Sequence, residues 1–238
     1  MKNTKSREIL KAILIVVLII ALAFGLLIYL LFNGNPVERY KTRGKTINYL
    51  SQKYPNTKFE VKKTFFNFKD GNYGAKVKAE NKMQTEFYVN LYKKQNAKDD
   101  YIEKKFSQEL NLKIEPKVRK IIANASTSIQ IFLKEGSKYN ENSEYSKDMK
   151  DLDILLTVKW EDEKINKESF AKECVEVVSL LNAEGFNLND YFFSCNDVKN
   201  GDFVVDIGKK GLSNVKVSPE ELLKRSDIRY FNKASEKK

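Results

Sequence analysis

Between Ala12 and Phe32 the chain reads AILIVVLIIALAFGLLIYLLF, twenty-one residues without a charge in a 238-residue sequence that is 32% charged. As a helix this run is about 31 Å long, matching the hydrocarbon thickness of a bilayer. A core helix of a water-soluble domain is shorter or keeps a polar face, whereas this segment is apolar all round. A cleaved secretory signal has an apolar region of about 7–15 residues and then a small-residue cleavage site. The only such triplet, Ala21-Leu22-Ala23, lies inside the run, and cleavage there leaves Phe24-Gly25-Leu26-Leu27-Ile28 as a new terminus. No cysteine follows the run, so a lipid-modified terminus has no attachment residue. The sequence predicts an uncleaved transmembrane helix over residues 12–32, a basic tail over 1–11 and a linker over 33–37.

Orientation follows from where the charges lie. The tail carries Lys2, Lys5, Arg7 and Lys11 against Glu8, and the far side carries Arg39, Lys41, Arg43 and Lys45, so the Lys/Arg count is a tie. Lys11 abuts the apolar run, however, whereas the first base beyond it is Arg39. The expected arrangement is a cytoplasmic N-terminus with the 206 residues after Phe32 outside the cell.

That remainder is long enough for one large or two small domains and too rich in aromatic and aliphatic residues for intrinsic disorder. Of the formal net charge of +11, the first 32 residues carry +3 and the rest +8, dispersed along the chain. A basic surface favours anionic wall polymers, anionic lipid or nucleic acid, but dispersed lysines read first as solvated faces. Histidine is absent, which removes Ser-His-Asp and Cys-His catalysis and every imidazole zinc site. The two cysteines, Cys174 and Cys195, cannot make a zinc site alone. A disulfide between them would close a loop of about twenty residues, worth roughly 3 kcal/mol in the chain-entropy model. Two buried thiols explain the same positions, since Cys174 lies on a helical apolar stripe and Cys195 shares a strand face with Tyr191 and Phe193.

Periodicity divides the remainder into two modules. Tyr40–Tyr54 reads as a helix with Ile47 and Leu50 inward, stopped by Pro55. Lys58–Phe68 alternates through Phe59 and Val61, then shifts phase at Thr64 towards Phe66 and Phe68, as a bulged strand does. Asp70-Gly71-Asn72 signals a hairpin. Tyr73, Ala75, Val77 and Ala79 alternate with charged residues, and a turn at Asn81-Lys82 leads to Phe87, Val89 and Leu91. Asp100 and Glu103 resemble a capping box ahead of Ile102, Phe106 and Leu110, a helical pattern that Pro116 interrupts. Residues 38–115 thus form an expected αβββα module.

In residues 116–238, Val118, Ile121 and Ile122 suit a short helix from Pro116, and Thr127, Ile129, Ile131 and Leu133 alternate as a strand. Gly136–Lys150 is polar. Leu152, Ile154, Leu156, Val158 and Trp160 alternate strictly. Phe170, Cys174, Val177, Val178 and Leu181 then mark a helix capped by Asn166 and ended by Gly185. Strands follow at Tyr191–Cys195 and Phe203–Ile207, joined through Asn200-Gly201. Ser218-Pro219-Glu220-Glu221 is a complete helix start, and Ala234–Lys238 reads as a frayed end. The expected fold class is α+β: a transmembrane helix, then two antiparallel sheets covered by helices, αβββα and ββαββα.

Few constellations suggest chemistry. Asp148, Asp151 and Asp153 flank the polar loop Asn140–Glu144, yet the spacing lacks the glycine and closing glutamate of a calcium loop. Asn187, Asn189, Asp190, Asn196, Asp197, Asn200 and Asp202 gather at the two ends of one hairpin, where turn chemistry accounts for them. The Phe65-Phe66-Asn67-Phe68 run with its lysines suits base stacking on an open sheet, but packing of a covered strand accounts for it more simply. No glycine-rich phosphate loop and no G-x-S-x-G occurs. No catalytic, cofactor-binding or metal-binding residue is assigned, and no cofactor is expected.

The basic tail and single apolar span lead into Tyr49-Leu50-Ser51-Gln52-Lys53-Tyr54-Pro55. Next come the strand through Phe59-Glu60-Val61, the strand pair Tyr73–Ala79 and Phe87–Tyr92, and Asp100-Tyr101. This layout, over residues 10–115, resembles the YfjL-like group of small membrane-anchored proteins of low-GC Gram-positive bacteria. The resemblance implies a cell-surface location and an α+β ectodomain, and it brings no catalytic residues. The expected function is non-catalytic binding at the cell envelope, to an anionic wall polymer or another envelope protein. The alternatives are a cell-envelope enzyme that uses carboxylates only, or a cytoplasm-facing basic domain that binds nucleic acid or anionic lipid.

Overall fold

The computed structural model describes residues 2–92, 96–186, 188–197, 201–208, 218–224 and 228–232. Its fold is α+β, with two compact units, Met1–Tyr101 and Ile102–Lys238.

The first unit begins with α1 (Lys2–Asn33), one helix long and apolar enough to cross a membrane. None of its apolar window is buried, and Leu31 is 67% exposed. The linker expected over 33–37 is only a two-residue break. Gly34 adopts φ +69°, and α2 (Pro36–Lys53) restarts at once, with Asn35 Oδ1 accepting from the Val37 N–H at 2.8 Å. An asparagine cap followed by proline at the first helical position is a strong start, so α2 begins ahead of Tyr40. Its buried face is Thr42, Thr46 and Leu50, and Ile47 is left exposed. Small inward threonines suit a helix lying over β1 and β2, where Ala75 is itself small and buried.

Four strands form an antiparallel sheet in the order β1 (Phe59–Asn67), β2 (Asn72–Ala79), β3 (Glu86–Leu91), β4 (Lys98–Asp99). The expected meander is present, and its register slips between Val61 and Lys63, one turn of the pleat ahead of the expected bulge at Thr64. The short β4 carried no alternation to betray it. Tyr54, Phe59, Phe87 and Tyr101 pack as an aromatic cluster with ring centroids 5.0–5.9 Å apart.

In the second unit, α3 (Tyr101–Val118) runs through Pro116 instead of ending there, and the short helix expected from Pro116 is its last turn followed by turns to Asn124. The proline removes an N–H that would have reached the Leu112 carbonyl. Leu112 is exposed, so water can satisfy that oxygen. The two compact units divide after Tyr101, the first residue of α3, whereas the sequence pattern ends the first module at residue 115. The reason is that α3 holds the polar loop of its own unit. The Lys105 ammonium donates to the carbonyls of Glu141 (2.8 Å) and Ser143 (2.5 Å), the Tyr145 N–H donates to Glu109 (2.6 Å), and Tyr139 and Tyr145 pack edge-on against Phe106.

The second sheet runs β5 (Ser126–Leu133), β6 (Leu152–Glu161), β7 (Asp190–Asp197), β8 (Gly201–Gly208), β9 (Arg229–Asn232). β6 and β7 pair parallel, from Leu155 opposite Asp190 to Glu161 opposite Asn196, so the sheet is mixed and not purely antiparallel. The cause is α4 (Lys167–Ala183), which lies between them and carries the chain back to the end where β6 began. Asn166 and Ser169 close a reciprocal cap at its start. The short α5 (Pro219–Lys224) begins where expected, with the Glu221 N–H donating to Ser218 Oγ at 3.2 Å. Trp160, Phe170 and Phe203 stack in sequence at 5.4 and 5.6 Å within a core that includes Leu156, Val177, Phe193 and Val205.

Candidate functional site

Parallel strands that share a crossover helix leave a crevice at their carboxyl ends, the usual place for a ligand in such a sheet. Here that end forms a cleft of about 470 Å³. β6 contributes Lys159, Trp160 and Glu161, β7 contributes Ser194 and Asn196, and Asp202 enters from β8. Strand alternation puts Lys159 and Glu161 on the wet face and Trp160 in the core. The lining carries one cation, two carboxylates and several amide and hydroxyl groups, a set suited to a polar solute or a peptide.

Trp160 Nε1 and Glu173 Oε2 are among the buried polar atoms near this end without a hydrogen bond of ordinary geometry. Burial on α4 pushes the Glu173 carboxyl above its usual range, the charges of Asp162 and Glu176 raise it further, and the Trp160 indole pulls the other way. The indole therefore lies towards the carboxylate without closing a bond. Glu173 falls three residues after Phe170, within the inward stripe, so a helical wheel gives the only sequence signal for it.

A second cleft, about 570 Å³, opens in the first unit between the start of α2 and the edge of β2 and β3, lined by Glu38, Lys45, Tyr73 and Tyr92 among others. Hydrogen bonds from Lys41 and Lys45 hold the Glu38 carboxyl below its usual range.

At the far edge of the first unit, Asp99 has no exposed side-chain surface. It accepts from Tyr49 Oη (2.6 Å), Tyr54 Oη (2.9 Å), Lys53 Nζ (2.7 Å) and the Tyr101 N–H (3.1 Å). This fully used carboxylate ties α2 to β4. Its side-chain partners stand 45–50 residues away in sequence, which no local pattern reveals.

The residues singled out in the sequence separate in space. Asp153 and Asn189 meet at 3.2 Å, and Asn189 also exchanges bonds with the Ile154 backbone, which pins the start of the parallel pair. Asp148 and Asp151 lie exposed in the loop. Among the described residues no group of three or more Cys, Asp or Glu is placed to hold a metal ion. Asn196 and Asp202 face each other across β7 and β8 and belong to the cleft. Asp190 begins β7 at the opposite end, and Asp197 is its last residue. Asn187, Asn200 and the segment Ala234–Lys238 lie outside the described residues. Phe65 packs on Tyr88 and Phe66 on Tyr73, whereas Phe68 is 54% exposed. Cys174 and Cys195 are buried thiols that form no disulfide, and burial pushes the Cys174 thiol far up.

An N-terminal helix of membrane-spanning length, a four-stranded meander and a mixed sheet with a crossover helix define a two-unit α+β protein with one candidate membrane anchor. The chain belongs to the YfjL-like family: residues 9–101 match the YfjL-like N-terminal domain and residues 99–229 the YfjL-like C-terminal domain. The two domains meet where the two structural units divide. No curated protein and no solved structure matches the chain.

Proposed function

We propose that the chain is a single-pass membrane protein, anchored through Ala12–Phe32, whose two α+β units stand outside the cell and act by binding and not by catalysis. The observation that carries the anchor is α1 itself. Its apolar side chains are exposed on every face, and the first unit buries a separate core without them. Exposed aliphatic surface of that extent and length suits the interior of a bilayer. The basic residues nearest the span favour an inside N-terminus. The cleft at the ends of β6 and β7, with Lys159 beside the two carboxylates of Glu161 and Asp202, suits a peptide of another envelope protein, while an anionic wall polymer would be drawn by the lysines dispersed along the rest of the chain.

Protease shaving of intact cells that carry a C-terminal tag tests the reading. Loss of the tag before lysis supports it; a tag that survives until lysis puts the units inside and sinks the envelope assignment. A carboxylate-dependent envelope enzyme is the second reading, favoured by the raised carboxyl of Glu173 beside Asp162. It requires turnover of wall polymer that Glu173→Gln abolishes.

A further inference from the structure

Phe32 ends the apolar run, and its ring meets that of Phe68 with 5.5 Å between centroids. Phe68 stands at the tip of the β1–β2 hairpin, more than half exposed, as is Phe32. The contact is held from several sides. Gly34 is buried, and a Cβ there would meet the Phe66 ring at 2.6 Å and Tyr73 Oη at 2.8 Å. The Asn35 N–H donates to Tyr73 Oη at 2.8 Å, and the Arg39 guanidinium donates to the Thr64 carbonyl at 3.2 Å. The end of α1, the start of α2 and the hairpin are therefore one packed elbow.

We propose that the hairpin tip is a second membrane contact, with Phe68 and the neighbouring Lys69 seated in the interfacial layer of the leaflet that α1 leaves at Phe32. The proposal rests on the reading of α1 as a membrane span and holds whichever side the units occupy. Distance decides it. The interfacial layer is roughly 5–7 Å thick on each side of the hydrocarbon, so a ring 5.5 Å from the last apolar residue stays within or beside it. Aromatic rings favour that layer, and a lysine there extends its ammonium towards water. Lys69 is offset by Asp70, which accepts from Asn67 at 2.6 Å, so ring burial and not headgroup charge provides the attraction.

The test uses the full chain in phosphatidylcholine vesicles with an environment-sensitive fluorophore on single introduced cysteines. The native thiols are buried and stay unlabelled. Phe24→Cys reports the span, Phe68→Cys and Lys69→Cys the tip, and Lys82→Cys the opposite end of β2. The expected result is quenching at position 24 by deep nitroxide lipids. Labels at 68 and 69 should be blue-shifted relative to 82 and quenched by shallow nitroxides, with no change in high salt. Quenching at 24 with water-like emission at 68 and 69 overturns the proposal and spares the anchor. Absence of quenching at 24 overturns both. Loss of the tip signal in salt overturns the aromatic origin of the contact.

Discussion

Asp99 and Glu173 are both carboxylates in confined surroundings, and their partners set opposite expectations. Asp99 has both carboxylate oxygens engaged by donors from α2, from Tyr54 and from the chain after β4, so removing it takes a buried acceptor from two phenols and a lysine, while Lys53 and Tyr49 keep their own contact at 3.1 Å. Asp99→Ala is expected to cost about 3 kcal/mol, seen as a drop of about 6–12 °C in thermal unfolding in mild detergent. A drop of a degree or less would show that the cluster is ornamental to stability. Glu173 is raised above 4.5 in the folded chain, chiefly by burial. Between its unfolded and folded values the folded state binds more protons, so stability falls as pH rises through that window. Glu173→Gln removes this loss. The variant is expected to melt higher than the parent at pH 7 and to match it below pH 4, which a pair of melting curves at the two pH values checks. Neither role was visible in the sequence, since Asp99 depends on residues far away and Glu173 reads as a surface glutamate unless the helix is placed against its sheet.

Among the elements, the elbow at Gly34 and Asn35 is the most exacting. Gly34 holds φ +69° and leaves no room for a Cβ, so Gly34→Ala combines backbone strain with a steric clash. It is expected to lower stability by about 1–3 kcal/mol, measured by chemical unfolding in detergent, whereas Gly44→Ala, inside α2 with open space around it, is expected to raise stability by up to about 1 kcal/mol. The strands of the meander, the α4 stripe and the Ser218 helix start were legible because alternation and caps are local signals. The direction of β7 relative to β6 was written in the sequence as strand–helix–strand, yet two hairpin-like neighbours masked it. Pro116 misled because its missing N–H matters little where the opposing carbonyl faces water. Ile47 misled because α2 buries threonines against small residues, reversing the usual link between bulk and burial. Of the candidate cleft, Asn196 and Asp202 were singled out as turn residues, and Lys159, Glu161 and Ser194 were not.

For the molecule as a whole, α1 decides how it partitions. With the apolar run intact, the protein is expected in the detergent phase of a cloud-point extraction. Leu18→Arg with Leu22→Arg introduces two charges at the centre of the span, each costing about 3 kcal/mol on insertion scales, and should shift it towards the aqueous phase. Equal partitioning of variant and parent would remove the ground for an anchor. The mixed sheet has a consequence of another kind, in time. β1, β2 and β3 are joined by short turns, so each pair can zip as soon as its turn forms. β6 and β7 cannot make a first hydrogen bond until the whole of α4 has been looped out between them. Closure of that loop must precede the contacts that repay it, so the parallel pair is expected to form late in the second unit, while the meander is free to form first.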